Sequence, residues 1–198
     1  MLNFALIIGS TRPNRFADIP ARWIVEGAKS RGDFTLETLD LRDHPLPLFN
    51  EPAPVGYVGG KFTEQAAEAW RHRIGAYDGF IVTAAEYNHA PTGVLKNAFD
   101  SASYEWIRKP ISFVGYGGVG GARAIEHLRG IAVELQMAPI KQEVNIAMAE
   151  FLGVVQQGKT LDDYAHLVAS RTAIFDNMVW WGNALKAAKA ADVVEKAA

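Results

Sequence analysis

Apolar and polar positions along the chain follow two periods, and these predict strands and helices in alternation. Leu2 to Ile8 is an uninterrupted apolar run, as expected for a strand covered on both faces. Apolar residues then recur at helical spacing up to Gly32, and Phe34 to Leu41 returns to partial alternation. Two further short apolar runs, Phe80 to Ala84 and Ile111 to Val114, are each followed by a helical pattern and indicate further strands.

The last part of the chain extends this series. A fifth strand is predicted over Ile140 to Met148, and a last helical pattern runs from Leu161 to Val179. Strands and helices that alternate five times favour a three-layer α/β sandwich with a five-stranded parallel sheet. We therefore predict a single domain over residues 1–198, with the alanine- and lysine-rich tail frayed after about residue 186.

Residues 42–60 interrupt the pattern with four prolines and three glycines. Long irregular loops of this kind are usually functional or mobile. The patterns on both sides belong to the same alternating series, so this stretch is not a linker between domains.

Gly9 to Ala17 joins the first strand to the first helix and is rich in hydrogen-bond donors. Ser10 and Thr11 bring hydroxyl groups, and Arg12 and Arg15 bring guanidinium groups that fit a phosphate in two-point contact. The start of the helix adds unpaired backbone N–H groups and the positive end of its dipole. The loop therefore predicts a phosphate site, and the alternative is a plain turn with solvated arginines.

The spacing of a Walker phosphate loop is absent from this segment. Hydroxyl and backbone donors after the first strand are instead typical of flavodoxin-like folds, which have strand order 2-1-3-4-5 and bind FMN at the switch point of the sheet. We predict this fold and order for the chain.

The second informative loop, Ala85 to Thr92, follows the third predicted strand. Backbone N–H groups of Glu86 to Asn88 and the Asn88 amide could hydrogen-bond the pyrimidine edge of a flavin, and the Tyr87 ring could contact its face. The alternative is a strand-to-helix connection in which Asn88 supports a turn and Tyr87 packs.

The third loop contains Gly115-x-Gly117-x-x-Gly120 after the fourth predicted strand, which matches the dinucleotide fingerprint. That fingerprint normally follows the first strand of its unit, and the acidic residue expected after the next strand is missing. We interpret the glycines as allowing the backbone to approach a flat ring closely. A flexible turn is the alternative.

Composition narrows the function classes. The net charge of −2 does not suggest a nucleic-acid or membrane surface. The chain has no cysteine, which excludes disulfides, thiolate catalysis and iron–sulfur clusters and fits a cytoplasmic protein. No apolar run is long enough to cross a bilayer, and the N-terminus has no basic region typical of a signal peptide.

Three motifs together resemble the NADPH-dependent FMN reductase family, over residues 3–150. They are Gly-Ser-Thr-Arg-Pro-Asn-Arg from Gly9, Glu-Tyr-Asn followed by Gly-Val-Leu-Lys-Asn-Ala, and Tyr-Gly-Gly-Val-Gly-Gly-Ala-Arg-Ala from Tyr116. The chain departs from the family pattern in two loops. Ala85 stands where the family usually has proline before Glu-Tyr-Asn, the later proline is Pro91 rather than residue 92, and Arg15-Phe16-Ala17 replaces the usual end of the phosphate loop.

The resemblance implies bound FMN, reduction by NADPH or NADH, and transfer to a small acceptor such as a quinone, an azo compound, a metal oxyanion or a flavin. It also implies a homodimer or homotetramer. The net charge indicates no nucleic-acid or membrane partner. The cofactor-binding residues expected from the loops themselves or from the resemblance are Ser10, Thr11, Arg12, Arg15, Phe16, Ala17, Ala85, Glu86, Tyr87, Asn88, Tyr116, Gly117, Gly118, Val119 and Gly120. Among them, Phe16 and Ala17 are implied by the resemblance alone. Neither a side-chain acid or base nor a metal ligand is expected.

Rival functions from other classes remain open at this point. A non-enzymatic flavodoxin-type electron carrier is the main one, although such carriers are usually strongly acidic and this chain is close to neutral. A sensing module that kept the fold without the chemistry is another. A dehydrogenase that binds NAD at Gly115 to Gly120 is the third.

Overall fold

A computed structural model describes residues 1–197 of the chain, with side chains through residue 192. In that range, helices flank both faces of a six-stranded sheet. The strands are β1 (Leu2–Ile8), β2 (Phe34–Asp40), β3 (Gly79–Ala85), β4 (Pro110–Tyr116), β5 (Ala138–Pro139) and β6 (Val144–Ile146). The helices are α1 (Asp18–Ala28), α2 (Gln65–Gly75), α3 (Gly93–Asp100), α4 (Ala122–Glu134), α5 (Met148–Gln156) and α6 (Ala165–Ala197).

The strand order is β2-β1-β3-β4-β5, with β6 also paired to β4, and every pairing is parallel. This confirms the predicted order 2-1-3-4-5 and the flavodoxin-like class. Since β1, β3 and β4 are neighbours, their carboxyl ends lie side by side. The three loops singled out in the sequence therefore meet at one edge of the sheet, where open α/β sheets bind their ligands.

Both faces of the sheet are buried, which explains why its central strands show no polar alternation. On one face, Leu6 of β1 belongs to a core with residues of α1 and α6 such as Ile24 and Phe175. On the other face, the next residue, Ile7, belongs to a core with α2, α3 and α4, which includes Trp70. Successive side chains of a strand point to opposite faces, so one apolar run supplies two cores.

The predicted fifth strand over Ile140 to Met148 is wrong in its extent. The structure has two short strands in this region, β5 before Ile140 and β6 within the predicted range, and each is paired with β4. Pro139 has no N–H group to donate to a ladder, and between the two strands the Gln142 carbonyl accepts a hydrogen bond from Ser112 Oγ at 2.8 Å. Met148 begins α5, which the sequence pattern did not predict.

Helix α6 continues to Ala197 and therefore extends beyond residue 186, after which fraying is predicted. Lys186 Nζ lies 2.9 Å from Asp78 Oδ2, and Arg108 forms an ion pair with Asp192. Fraying of the tail after about residue 186 stays a prediction. Among residues 1–197, none of the helices has both the length and the apolar character needed to cross a membrane.

Candidate functional site

The first loop is pinned to β3 and α3 at its first residue. The Gly9 N–H donates to the Thr83 carbonyl at 3.2 Å and to Thr83 Oγ1 at 3.1 Å. Thr92 Oγ1 caps α3 and donates to the Gly9 carbonyl at 2.5 Å. A Cβ atom on Gly9 would lie 2.4 Å from the Thr83 carbonyl oxygen, so only glycine fits here. The second loop is thus tied to the start of the first.

The end of the first loop presents unused backbone donors. Within residues 1–197, the N–H groups of residues 14–17 hydrogen-bond no protein acceptor. They directly precede Asp18, the first residue of α1, where the helix dipole is positive. Asn14 has φ of 52°, a left-handed conformation that asparagine tolerates better than most residues. Clustered N–H groups at a helix start form an anion site.

Arg15 does not extend a guanidinium toward this anion site. Its side chain is 2% exposed and forms ion pairs with Asp18 and Asp40. It also donates to the Ser10 carbonyl at 2.5 Å. The hydrogen bonds that Arg15 donates to Asp40 are the main reason that the pKa of Arg15 lies above its usual range. The expectation of a two-point phosphate contact from the Arg15 side chain is therefore corrected, because its donors already have acceptors inside the protein.

Arg12, in contrast, is exposed, and no protein acceptor binds its guanidinium among the described residues. The guanidinium lies over the Tyr87 ring, 6.0 Å from its centroid. Ser10 is buried, and its Oγ lies 3.2 Å from Tyr87 OH. Burial raises the pKa of the neighbouring Tyr116 above its usual range. The Ser10 and Tyr87 hydroxyls and the Arg12 guanidinium therefore lie close together beside the first loop.

Phe16 and Ala17 lie in the core rather than at the mouth. Phe16 is 6% exposed, and its ring centroid lies 5.3 Å from that of Tyr116 and 4.6 Å from that of Phe151. Ala17 is fully buried. Only their backbone N–H groups are available to a ligand.

The second loop folds into a tight turn. The N–H groups of Tyr87 and Ala90 each donate to the other residue's carbonyl, at 2.9 and 3.1 Å. Asn88 and His89 between them have φ of 50° and 74°, which is the pattern of a type I′ turn. A positive φ is uncommon for residues other than glycine, although asparagine tolerates it, and residues held in such conformations are concentrated at functional sites.

Two of the three N–H groups expected to meet a flavin in this loop already have partners. The Glu86 N–H donates to the Tyr116 carbonyl at 3.3 Å, and the Tyr87 N–H donates within the turn. The Glu86 carboxylate accepts the Arg123 backbone N–H at 3.2 Å and forms an ion pair with its guanidinium. The Asn88 N–H has no protein acceptor within residues 1–197. Ala85, like the rest of β3, is buried.

The glycines of the third loop have two different roles. Cβ atoms on Gly115 and Gly120 would lie 2.4 Å from the Gly120 carbonyl and 2.8 Å from Asn145 Cβ, so both positions are set by internal packing. Gly118 has open space where a Cβ would lie. The N–H groups of Gly118 and Val119 bind no protein acceptor in the described part of the chain. A flat ring can therefore approach this loop at Gly117 to Val119.

A cavity of about 420 Å³ opens beside Thr11, between the first loop, the chain after β2 and α3. Its lining is mostly apolar and includes Leu41, Leu46 and Val94, with Arg42 among its polar members. The volume falls in the range that accommodates small organic ligands.

Sequence reasoning missed Asp40 and Asn97. Asp40 ends β2 and holds Arg15, and the predicted order of strands already placed the end of β2 next to the first loop. The Asn97 side chain accepts the Phe49 N–H at 2.8 Å and donates to the Pro47 carbonyl at 2.8 Å, which holds the proline-rich loop on α3. No local pattern signals that role.

Comparison with known proteins indicates which ligand this edge of the sheet binds. The model of the NADPH-dependent FMN reductase family matches residues 2–151. The chain belongs to this family. FMN is accordingly the flavin of this FMN reductase family member, and NADPH or NADH is its electron donor. The resemblance noted from the three motifs is confirmed.

Two relatives illustrate the range of the family. The NAD(P)H-dependent FMN reductase C4B3.06c of Schizosaccharomyces pombe is 35% identical over 133 residues, which cover 67% of this chain and 66% of that protein. A 2-hydroxy-1,4-benzoquinone reductase of Burkholderia is 31% identical over 148 residues, which cover 71% of this chain and 75% of that protein. The chain thus spans about two thirds to three quarters of the lengths of these relatives.

Among solved structures, FerB of Paracoccus denitrificans, a flavoenzyme NAD(P)H:(acceptor) oxidoreductase, superimposes with a TM-score of 0.70 at 21% identity. The match covers 92% of this chain and 98% of FerB, and it supports the fold.

The anion site of residues 14–17 is chemically suited to the FMN phosphate, since backbone N–H groups at a helix start favour a dianion.

Proposed function

We propose that this chain is a reductase that takes electrons from NADPH or NADH through bound FMN and delivers them to a small acceptor. The acceptor would be a quinone, an azo compound, a metal oxyanion or a free flavin. The observation that carries the proposal is the set of unpaired N–H groups at residues 14–17 in a member of an FMN family. When bound, FMN supplies the redox chemistry, and the protein supplies position and electrostatics.

The residues of the three loops take separate parts in this proposal. The backbone N–H groups of residues 14–17 hold the phosphate, together with the exposed Arg12 guanidinium. The N–H groups of Asn88, Gly118 and Val119 face the ring system and donate to its polar edge. Negative charge that develops there on reduction is stabilised by such fixed donors. Arg15 and Glu86 act behind these groups, because their side chains hold the loops in place.

The proposal is tested on the protein as purified. We expect a flavin absorption spectrum, loss of the yellow colour when NADPH or NADH is added without oxygen, and steady turnover of a quinone. A colourless protein that binds NAD without flavin would support the dehydrogenase alternative instead. A flavoprotein that neither nicotinamide bleaches would overturn the reductase proposal and favour a flavodoxin-type carrier.

We also propose that the chain forms a homodimer or homotetramer through the β2–α2 loop. Leu48 and Tyr57 in this loop are 82% and 88% exposed, and Phe49 and Tyr104 are also exposed nearby. Large apolar side chains gathered on one surface are typical of interaction sites. Light scattering coupled to size exclusion should give a mass of two or four chains at micromolar concentration, and a monomer would overturn this part.

A further inference from the structure

Helix α6 presents an exposed apolar face on the side that points away from the sheet. Its inward side carries buried residues, among them Ile174, Phe175 and Met178. Since a helix has about 3.6 residues per turn, the opposite side is formed by positions that recur every three or four residues. Ala173 is half-buried among these positions, and the others are exposed. We call them the outward face: Ala169, Ala173, Asp176, Trp180, Ala184, Ala187 and Ala191.

Trp180 lies at the centre of the outward face, and Trp181 lies beside it. Their side chains are 64% and 38% exposed, and their ring centroids are 5.2 Å apart. The other tryptophans of the chain, Trp23, Trp70 and Trp106, are buried. A helix face in contact with water normally carries charged and polar side chains. Because the centres of protein interfaces are instead enriched in tryptophan and poor in charge, the outward face has the composition of an interface.

The size of the outward face suits a second α6 helix. From Ala169 to Ala191 the face is about 33 Å long, on a helix about 10–12 Å wide with its side chains. Two such bands in contact bury on the order of 1,000 Å² of accessible surface in total, which is where specific interfaces begin. The alanines on both sides of Trp180 are small, so the axes of two helices can approach closely along the band.

The position of Asp176 favours one orientation of the two helices. Asp176 is the charged residue of the outward face, and it forms an ion pair with Arg31 at 2.7 Å. Parallel helices would place two Asp176 carboxylates side by side, and like charges in contact are unfavourable. Antiparallel helices related by a two-fold axis at Trp180 place Asp176 opposite Ala184 of the second copy. The two Asp176 residues then lie about 12 Å apart along the helix axes, which exceeds the Debye length of about 8 Å.

We propose that the outward face of α6 is a contact between two copies of this chain, in which two α6 helices pack antiparallel around a two-fold axis at Trp180. Such a contact uses the same surface of both copies, as two-fold symmetry requires. It lies apart from the flavin site and from the contact proposed for the β2–α2 loop. The FMN reductase family model matches residues 2–151, and α6 begins only at Ala165, so this surface lies outside the matched region.

The contact is tested first by the mass of the protein in solution, measured by sedimentation velocity across the micromolar range. Trp180→Glu should halve the mass of the largest species, because it would bury two unpaired carboxylates at the two-fold axis. Val133→Glu is the matched control, since Val133 lies on α4 and is 62% exposed, close to the 64% of Trp180. The control should keep the wild-type mass. Thermal melting confirms that both variants are folded.

Cross-linking tests the antiparallel orientation. The chain has no cysteine, so an introduced cysteine is the single reactive thiol of each variant. In the antiparallel contact Ala173 faces Ala187 of the second copy. A short bis-maleimide should therefore cross-link a mixture of Ala173→Cys and Ala187→Cys after the subunits have exchanged. Neither variant alone should cross-link, because its two cysteines would lie about 21 Å apart along the helix axes.

A Trp180→Glu variant with the wild-type mass would overturn the contact, and so would a monomeric wild-type protein. Cross-linking of each cysteine variant with itself would overturn the antiparallel orientation, and so would a mixture that does not cross-link. Neither result bears on the reductase proposal, which is judged by the flavin spectrum and by turnover. A dimer that remains in Trp180→Glu after the mass has halved is expected from the separate contact through the β2–α2 loop.

Discussion

The Arg15 guanidinium and the Asp40 carboxylate form a two-point ion pair that joins the first loop to the end of β2. One of its two hydrogen bonds, from Nη1 to Asp40 Oδ1, is 2.7 Å long. Burial would raise the pKa of Asp40, but the hydrogen bonds from Arg15 and from the Arg42 N–H outweigh it and hold that pKa below its usual value. Arg15 thus fixes the shape of the loop that presents residues 14–17.

Methionine substitutions separate this structural role of Arg15 from ligand binding by Arg12. Arg15→Met should lower the free energy of unfolding by about 2–4 kcal/mol, because it leaves Asp40 without its buried partner. Arg12→Met should change it by less than about 0.5 kcal/mol, since Arg12 is exposed, and should weaken FMN binding. Urea unfolding of the flavin-free proteins, followed by tryptophan fluorescence, provides the comparison. Equal stability of the two variants would contradict the internal role of Arg15.

Asn97 should control the order of the proline-rich loop. Asn97→Ala removes its bonds to the Phe49 N–H and the Pro47 carbonyl, and we expect a loss of about 1–3 kcal/mol of stability. Hydrogen exchange of the Phe49 amide should become faster. The neighbouring Lys96→Ala is the control, because Lys96 forms only an exposed ion pair with Asp100. An unchanged Phe49 exchange rate in Asn97→Ala would show that other contacts hold the loop.

Two glycines of the third loop should respond differently to alanine. Gly121 has φ of 71°, and a Cβ there would lie 2.7 Å from the Tyr116 nitrogen, so Gly121→Ala should cost about 1–3 kcal/mol of stability. A Cβ on Gly118 meets open space, and Gly118→Ala should leave stability within about 1 kcal/mol. Gly118→Ala should nevertheless weaken FMN binding, because the methyl group enters the space assigned to the ring. Undiminished FMN affinity would place the ring elsewhere.

The lowered pKa of Lys109 predicts how the free energy of unfolding changes with pH in mild alkali. Burial lowers the pKa of Lys109 to about 8, although its Nζ donates to the Ile74 carbonyl at 2.9 Å. An unfolded chain binds this proton up to pH of about 10.4, so it holds more protons than the folded protein between these values. The contribution of Lys109 to stability therefore rises with pH there, by about 1 kcal/mol per unit.

This contribution is measured as the difference between wild-type and Lys109→Met unfolding free energies from pH 8 to 9.5. Tyrosines of the unfolded chain begin to titrate near pH of about 10, and their titration changes the free energy of unfolding in the opposite direction. The chosen range stays below that pH. The Met variant should lose the upward slope. Parallel pH profiles for the two proteins would mean that Lys109 titrates normally in the folded state.

The sequence pattern was most informative about the central sheet. The runs Leu2 to Ile8, Phe80 to Ala84 and Ile111 to Val114 correspond closely to β1, β3 and β4, because strands buried on both faces are continuously apolar. The pattern was least informative at the sheet edge after α4. There β5 and β6 are short, and a few apolar residues fit one strand as well as two.

The candidate site divides in the same way. The sequence alone predicted the three loops, their common edge and the donor-rich start of α1. It could do so because strand order and helix polarity determine where loops and N–H groups lie. Only the tertiary structure decided which donors remain for a ligand. Arg15 is taken up by Asp40 and Tyr87 is turned toward Ser10, since those partners lie far apart in the chain and become neighbours only when the parallel strands pair.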